Sequence, residues 1–333
     1  MPAEWEPHAG TWLTWPRREG ISFPGIYNHI EPVFAAIIHV LSQAEGVFIN
    51  VCDSRMEKTA REILKQHDAL NENVDFFHHP SDEPWCRDHG PIFVRNESTR
   101  AVIDWDYNAW GNKYSPYEND NQIPTRIASA RGLERLTPGM VLEGGSIEVN
   151  GQGTLLTTES CLLNPNRNPN LTKEDIEQRL REYLGVTNIL WLGNGIAGDD
   201  TDGHIDDLTR FVNEHTVVTA VEKDESDKNH QPLLDNLQRL QNMQTQDGQP
   251  LNIVEIPMPG PVVFQGERLP ASYVNFYVGN EVVLMPSFRH ENDPRAKAIL
   301  QGCFPTREVI DIDSTNLAWG LGSFHCLTQQ EPD

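Results

Sequence analysis

Cysteine is scarce in this sequence, and its spacing excludes two common uses of the residue. The 333 residues include five cysteines, Cys52, Cys86, Cys161, Cys303 and Cys326. They are widely spaced, odd in number and without a Cys-x-x-Cys pair, which is neither a disulfide framework nor a zinc site. At least one free thiol therefore exists, and each cysteine either fills the core or is reactive.

Basic residues are also in short supply. Lysine and arginine number 26 against 49 aspartates and glutamates, so the formal net charge is −23. Such a chain is poorly suited to nucleic acid or to an anionic membrane surface, because both require basic side chains. Negative charge of this size serves solubility, and part of it can also steer a cationic substrate into a pocket.

Long hydrophobic runs and flexible linkers are missing too. No apolar run approaches the roughly 20 residues that span a bilayer. The first residues, Met1 to Pro7, have no basic region followed by an apolar stretch, unlike a signal peptide. No Pro/Gly/Ser-rich linker divides the chain. We therefore expect a cytoplasmic protein in which residues 1–333 form a single domain.

What the chain does contain is a repeated hairpin pattern. Four pairs of short apolar runs turn at or near Asn96, Asn150, Asn213 and Asn280, in steps of 54, 63 and 67 residues, and asparagine suits such turns. Amphipathic stretches between them, at Thr172–Leu184 and Pro232–Asn242, predict helices. The pattern predicts four or five α/β modules of about 60 residues that pack on one another. A closed ring of five would fit the length.

Acidic residues occupy similar positions in three of these modules. Asp88 lies 8 residues before the first tip, and Glu143 and Asp206 lie 7 before theirs, with His204 two residues before Asp206. If rotation about one axis relates the modules, equivalent positions point at one centre. The repeat therefore predicts that three carboxylates and a histidine converge.

Four motifs surround these positions, and each has a structural alternative. Trp85–Pro91 holds Arg87 and Asp88, which could form a simple salt bridge. In Leu142–Ser146, two glycines follow Glu143, which suits a tight turn or a close backbone approach. Gly320–Gln330 places Cys326 beside a glycine-rich approach and a histidine, consistent with burial or with an activated nucleophile.

The densest motif, Gly198–Asp207, resembles a calcium loop only superficially. Aligning Asp200, Asp202 and Gly203 to loop positions 3, 5 and 6 puts Gly198 at position 1 and Thr209 at position 12, where calcium loops need acids. A metal site built on His204 and Asp206 stays open as an alternative.

In this order along the chain, the four motifs resemble those of the agmatine deiminase and bacterial-type peptidylarginine deiminase family, within the guanidine-modifying superfamily. The resemblance extends to Glu4–Pro16 and Leu162–Pro169 and covers essentially the whole chain. It implies a five-module pseudo-symmetric α/β propeller (a pentein), one catalytic domain over residues 1–333, and no metal or other cofactor. It also implies a small cationic guanidine substrate and makes homo-oligomerisation plausible. The run Gly320-Leu321-Gly322-Ser323-Phe324 departs from the family's usual pattern before the cysteine.

The resemblance also implies roles for individual residues. Cys326 would attack the guanidinium carbon, and His204 would donate a proton to the departing ammonia and then activate water. Asp88 and Asp206 would grip the guanidinium, while Glu143 would bind it and orient His204. We expect Trp85 and Trp110 to contact the substrate as well. Together they form a catalytic set that requires no metal.

The substrate is less well determined by the residues. Agmatine, giving N-carbamoylputrescine and ammonia on the route to putrescine, is the first expectation, and free L-arginine or peptidyl-arginine is the alternative. The stretch 109–126 is predicted to be a long loop that covers the substrate tail. Within it, Glu118 and Asp120 favour an amine, whereas Lys113 favours a carboxylate. Two alternative functions come from other classes of protein: a metal-dependent hydrolase and a non-catalytic cation-binding propeller.

Overall fold

The computed structural model describes residues 1–96 and 99–333. Its architecture repeats one plan five times: two antiparallel strands are followed by a helix and a third strand parallel to the second. The first module has β1, α1 and β2, extended by α2 and a further parallel strand β3. These elements span His8–Thr14, Tyr27–Leu41, Gly46–Val51, Ser54–Gln66 and Val74–His78.

The second and third modules follow the plan directly. The second contains α3, β4, β5, α4, α5 and β6, at Cys86–His89, Ile92–Arg95, Arg100–Ile103, Ala109–Asn112, Ile123–Arg131 and Glu134–Leu136. The third contains β7, β8, α6, α7 and β9, at Ile147–Val149, Thr154–Thr158, Glu159–Leu162, Lys173–Leu184 and Asn188–Leu192. In both, the first two strands pair antiparallel and the third pairs parallel with the second.

The last two modules repeat the plan and close the ring. The fourth contains β10, β11, α8 and β12, at Thr209–Asn213, Thr216–Val221, His230–Leu240 and Asn252–Pro257, followed by a small hairpin of β13 and β14 at Val263–Phe264 and Glu267–Arg268. The fifth contains β15, β16, α9 and β17, at Tyr277–Val278, Val282–Ser287, Asp293–Cys303 and Glu308–Asp313. Then α10 (Phe324–Leu327) leads into β18 (Thr328–Pro332), which pairs antiparallel with β1.

All four predicted hairpins are present, as β4–β5, β7–β8, β10–β11 and β15–β16. The first turns beside Asn96, and its tip residues 97–98 lie outside the described part of the chain. The predicted helix after Thr172 is α7, where Thr172 and Asp175 form a reciprocal capping box. The second predicted helix, α8, begins at His230, two residues earlier than expected.

The prediction of a loop over 109–126 is only partly right. The stretch begins with the irregular turn α4 and ends inside the regular helix α5, which starts at Ile123. Pro124 favours the prediction of a loop, because proline is a common loop residue. Proline is also well tolerated in the first turn of a helix, where its missing N–H would be unpaired anyway.

Packing of the modules brings their inner turns together. Each long helix buries one face; α7, for example, buries Ile176, Leu180 and Leu184 in a cluster with Leu155. At the centre, α3 contacts both α10 and the 3₁₀ turn Gly144–Ser146. The turn Gly144–Ser146 also contacts the 3₁₀ turn Ile205–Asp207. Two further 3₁₀ turns span Asp120–Gln122 and Leu317–Gly320. Across residues 1–96 and 99–333, no helix has both the length and the apolar content to cross a bilayer.

Candidate active site

The inner turns bring the predicted site residues to one place in the molecule. Asp88 lies in α3, Glu143 caps the turn at Gly144–Ser146, and Asp206 lies in the turn at Ile205–Asp207 with His204 as its cap. Cys326 lies in α10. Each turn leads into the first strand of its module, so equivalent positions in the repeat meet at the centre.

Gly145 shows how tightly these groups converge. A Cβ atom at this position would lie 2.6 Å from Nδ1 of His204, 2.8 Å from Oδ1 of Asp88 and 3.0 Å from Oδ2 of Asp206. Only glycine leaves room for three polar groups from three modules against its backbone. Both interpretations of the Glu143-Gly144-Gly145 motif are therefore observed: the glycines form a tight turn, and they allow a close approach to the backbone.

Cys326 lies at the floor of a cavity with its side chain 6% exposed. Its Sγ lies 3.1 Å from Nδ2 of Asn275 and 3.8 Å from Oδ2 of Asp206. Burial raises the pKa of the thiol well above its usual value, and the carboxylates of Asp206, Asp207 and Asp88 add to the effect. Without a cation in the site, Cys326 is therefore a thiol at neutral pH.

Asp88 accepts two hydrogen bonds that orient its carboxylate. Gly145 N–H donates to Oδ1 at 3.0 Å, and the indole N–H of Trp110 donates to Oδ2 at 2.9 Å. Burial raises the pKa of Asp88 to about 6; the neighbouring carboxylates of Asp206 and Glu143 contribute, while His204 opposes them. The carboxylate is thus poised to ionise near neutral pH.

His204 is fully buried between two acids. Its Nδ1 lies 3.7 Å from Oδ1 of Asp88, and its Nε2 lies 3.9 Å from Oε2 of Glu143. Burial lowers the pKa of the imidazole, but Asp88, Cys161 and Glu143 more than offset this and raise it well above its ordinary value. His204 consequently carries a proton that it can donate.

Asp206 is also fully buried, and its two oxygens differ. Oδ2 lies 2.7 Å from Nδ1 of His325, whereas Oδ1 has no hydrogen-bond partner among the described residues. Burial favours the protonated acid, but His325 and His204 outweigh it and lower the pKa of Asp206. An ionised carboxylate with one unpaired oxygen lies beside the thiol as a result.

Three residues that the sequence reasoning did not assign complete the site. Asn275, from the fifth module, contacts Cys326 as described above. It precedes β15, which begins at Tyr277, and lies in the inner turn of its module. Its place in the repeat, five residues before Asn280, was the available signal. Because the Asn275 side chain is uncharged, it does not match the acids that occupy similar positions in the other modules.

The second unassigned residue, Arg167, holds Glu143 in place. Its Nε donates to Oε1 of Glu143 at 2.7 Å and its Nη1 to Oδ2 of Asp202 at 2.5 Å, with the guanidinium fully buried. Burial alone would raise the pKa of Glu143, but Arg167, followed by His204, lowers it. The resemblance over Leu162–Pro169 was the only sequence signal for Arg167, since nothing local pairs it with an acid.

The third, Cys161, belongs to a group with metal-ligand chemistry. Ligand atoms of Glu143, Cys161 and His204 all lie within 4.8 Å of one another, and sulfur, imidazole and carboxylate are the donors that zinc uses. Arg167 already neutralises Glu143, however, so a dication would meet a fixed cation. The group does not include Asp206, on which the metal-hydrolase alternative relied.

The cavity above Cys326 measures about 530 Å³, including the space open to solvent at its mouth. Its walls are aromatic, with Trp85, Trp110, Tyr114 and Trp319. Of the predicted substrate-binding residues, Asp88, Trp85 and Trp110 line it, whereas Glu143 and Asp206 are fully buried and are not among its lining residues. The turn that carries Trp110 has left-handed backbone at three non-glycine residues, Ala109, Trp110 and Asn112, a strained geometry often found at functional sites.

Neighbouring loops clamp this turn over the cavity. The hydroxyl of Tyr114 donates to Oδ2 of Asp200, and Nζ of Lys113 donates to the carbonyl of Asp200 and, at 2.8 Å, to Oδ1 of Asp202. Lys113 is thereby held outside the cavity lining, while Glu83 and Asp200 are part of it. The charge that faces the cavity is negative.

Known proteins are similar to this chain over its whole length. The model of the Porphyromonas-type peptidyl-arginine deiminase family matches residues 1–332. The agmatine deiminase of Pseudomonas aeruginosa (strain LESB58) is 38% identical over 357 residues, covering 100% of this chain and 95% of that protein.

Solved structures are similar over the same length. The agmatine deiminase of Enterococcus faecalis has a TM-score of 0.93 and 31% identity, covering 100% of this chain and 95% of that one. A cysteine-to-serine variant of agmatine deiminase from C. jejuni, solved with substrate bound, has a TM-score of 0.88 and 30% identity, covering 100% and 96% of the two chains. The prediction of a five-module α/β propeller is confirmed by this similarity and by the five sheets of three or four strands, one in each module.

Proposed function

Since the chain belongs to the Porphyromonas-type peptidyl-arginine deiminase family, we propose that it hydrolyses the guanidinium group of agmatine, with Cys326 as the nucleophile. It is an enzyme that cleaves C–N bonds of linear amidines. The observation that carries the substrate assignment is the cavity itself, whose floor holds Cys326 and whose charged lining residues are all acidic: Glu83, Asp88 and Asp200.

A guanidinium is planar and cationic, and the site offers groups that suit both properties. Asp88 and the unpaired Oδ1 of Asp206 can accept its N–H groups through charge-assisted hydrogen bonds. Several carboxylates in a dry site repel one another, and a cation relieves that repulsion. Each charge contact at 4 Å is worth on the order of 4 kcal/mol at an effective dielectric of 20, before desolvation is counted.

Substrate charge activates the nucleophile in this proposal. The negative field that keeps Cys326 protonated is cancelled when the guanidinium arrives, so the pKa of the thiol falls and the thiolate becomes accessible. The thiol proton leaves to the solvent at the cavity mouth, while Asp206, whose Oδ2 lies 3.8 Å from Sγ, stays ionised and keeps its hold on the cation. The amide of Asn275, at 3.1 Å from Sγ, stabilises the resulting negative charge.

The reaction then proceeds through a covalent intermediate. Sγ of Cys326 forms a bond to the central carbon, and a C–N bond breaks as protonated His204 gives its proton to the leaving ammonia. Neutral His204 takes a proton from water, whose oxygen attacks the thiouronium carbon. The C–S bond breaks, and the protonated urea product gives its extra proton to the departing sulfur, which releases N-carbamoylputrescine and restores Cys326 as a thiol. Glu143 keeps His204 oriented throughout, and every step uses side chains of this chain.

The cavity favours agmatine over free arginine because of the far end of each substrate. Agmatine carries an ammonium there, whereas arginine carries an α-carboxylate as well. No lysine, arginine or histidine is among the described residues that line the cavity, so a carboxylate would be repelled by Asp200 and Glu83. Aromatic walls also attract cations. Glu118 and Asp120, the acids noted in the sequence, do not line the cavity.

The test compares substrates and variants in one assay for ureido product. Purified protein is incubated with agmatine, L-arginine or an arginine peptide, with and without EDTA, beside Cys326→Ala. We expect product from agmatine that EDTA leaves unchanged and Cys326→Ala abolishes. Product from arginine or the peptide alone would refute the substrate assignment, and activity in Cys326→Ala would refute the mechanism.

A second pair of variants tests the charge argument. Asp200→Asn removes one acid from the cavity lining, whereas Glu118→Gln removes an exposed acid from the same side of the molecule that does not line it. We expect KM for agmatine to rise in Asp200→Asn and to stay unchanged in Glu118→Gln. Equal effects in the two variants would show that general negative charge, and not the lining, selects the cation.

A further inference from the structure

A carboxylate from the segment before β1 lies beneath the site and has no part in the chemistry described so far. Glu4 is 5% exposed, and four other parts of the fold reach it. Its Oε1 accepts from the backbone N–H of Val278 at 2.9 Å and lies 2.8 Å from Nη2 of Arg210. Its Oε2 accepts from Nη2 of Arg87 at 3.0 Å and lies 2.9 Å from Nε2 of His325.

His325 connects Glu4 to the site. One ring nitrogen contacts Glu4, and the other, Nδ1, lies 2.7 Å from Oδ2 of Asp206. An ionised carboxylate can only accept hydrogen bonds, so a ring held between two ionised carboxylates donates from both nitrogens. The backbone of His325, which adjoins Cys326, is held by its own N–H, which donates to Oδ1 of Asn275 at 3.0 Å.

Charge balance supports this protonation state. The buried network contains three acids and three basic groups, and it is neutral only when the histidine is protonated: Glu4, Glu148 and Asp206 against Arg87, Arg210 and His325. Removing the Glu4 charge would leave the two arginines to balance the two remaining acids. His325 would then be the group that gives up its charge.

The geometry points to Glu4 as a positioning residue for this reaction: acting through His325, it keeps Asp206 ionised and holds its Oδ2, which leaves Oδ1 for the substrate. This inference rests on the proposed function. Asp206 has one oxygen occupied by His325 and the other unpaired among the described residues. A neutral His325 would hold Oδ2 less firmly, and Asp206 would take up a proton more readily and bind a cation more weakly.

The charge of His325 also affects how kcat/KM depends on pH. Titratable and charged groups that face Asp206 are Asp88, His204, Asp207, Arg210, His325 and Cys326. All of them remain in Glu4→Gln, so only the charge relayed through His325 changes. That charge acts at 2.7 Å, closer than Glu4 itself, so its loss raises the pKa of Asp206 towards the value of about 6 for Asp88. The acidic limb of kcat/KM, set by Asp88 in the wild type, then moves to higher pH because a second carboxylate titrates in the same range. A one-unit shift lowers kcat/KM about ten-fold below both midpoints.

The experiment measures kcat, KM and pH profiles with agmatine for Glu4→Gln, His325→Asn and the double variant. Glu6→Gln is the matched control, since Glu6 lies in the same segment but pairs at the surface with Arg95 at 2.7 Å. We expect Glu4→Gln to show the upward shift and a higher KM, and Glu6→Gln to behave as the wild type. Because Glu4 acts through His325, the double variant should be no worse than His325→Asn alone.

Two results would overturn the inference. One is an unshifted acidic limb in folded Glu4→Gln, which would mean a structural role only. The other is additive losses in the double variant, which would mean that Glu4 and His325 act independently.

A measurement without substrate keeps the test separate from the proposed function and from the folding of the variants. Histidine ring nitrogens of ¹⁵N-labelled wild-type protein are observed by NMR, and the His325 signals are assigned by their loss in His325→Asn. We expect both His325 nitrogens to be protonated at pH 7, and a singly protonated ring would overturn the inference. A doubly protonated His325 in a wild-type protein inactive on agmatine would refute the proposed function instead.

Discussion

Replacing Arg167 by methionine tests whether the positive charge of Arg167 stabilises the buried carboxylate of Glu143. Methionine keeps the length and apolar stem of arginine but removes the cation that lies 2.7 Å from Oε1 of Glu143. Because both side chains are fully buried, the carboxylate would be left in the interior without its counter-charge. Breaking a buried pair in this way costs about 3–5 kcal/mol, since the remaining charge keeps its desolvation penalty.

The unfolding temperature reports this loss. Unfolding entropy scales to about 0.7 kcal/mol per kelvin for a chain of this length, so the apparent Tm should fall by about 4–7 °C. Arg167 is the first-named group that lowers the pKa of Glu143 against burial. A depressed pKa stabilises above the unfolded value of about 4.3, and this stabilisation is lost as pH falls through the folded value. The Tm difference should therefore shrink in acid.

A double variant separates the ion pair from simple packing. Glu143→Gln in the Arg167→Met background removes the stranded charge, so it should recover part of the lost stability although the protein stays inactive. Activity of Arg167→Met itself should also fall, because Glu143 loses the guanidinium that holds its Oε1 and no longer orients His204. An apparent Tm equal to that of the wild type, or a double variant less stable than Arg167→Met, would refute the reasoning.

Three further predictions concern the cavity floor. Because burial raises the pKa of Asp88 to about 6 and the substrate needs a carboxylate, kcat/KM should decline below about pH 6; a profile flat from pH 8 to 5 would contradict this. Trp110→Phe removes the 2.9 Å hydrogen bond from the indole to Asp88. Steady-state kinetics should then show a higher KM and a decline of kcat/KM that begins at higher pH. Unchanged values would mean that this hydrogen bond is incidental. Asn275→Ala removes the amide 3.1 Å from Cys326 Sγ and should lower kcat about ten- to a hundred-fold, as for a hydrogen bond to a charged group; equal kcat would exclude the amide from thiolate stabilisation.

Local sequence patterns were sufficient for the modules and for much of the site. Hairpin tips at asparagine and the cap at Thr172 depend on backbone preferences that act within a few residues, so they can be recognised without the fold. The spacing of Asp88, Glu143 and Asp206 before their hairpins predicted the site. In a ring of repeats, residues at the same distance from equivalent hairpins point to one common centre. Cys326 was recognisable from its glycine-rich approach and from the family resemblance.

Contacts between distant segments were decided only by the tertiary structure. Arg167 neutralises Glu143 across 24 residues, and His325 bridges Asp206 and Glu4 across 119 and 321 residues. Such pairs leave no periodicity, since a charge is attracted to its partner through space whatever their separation along the chain. The acids that line the cavity, Glu83 and Asp200, were likewise distinguishable from exposed Glu118 only once the loops had closed around the cavity. Spacing along the chain thus determined which module carries each group, and packing determined which groups reach the substrate.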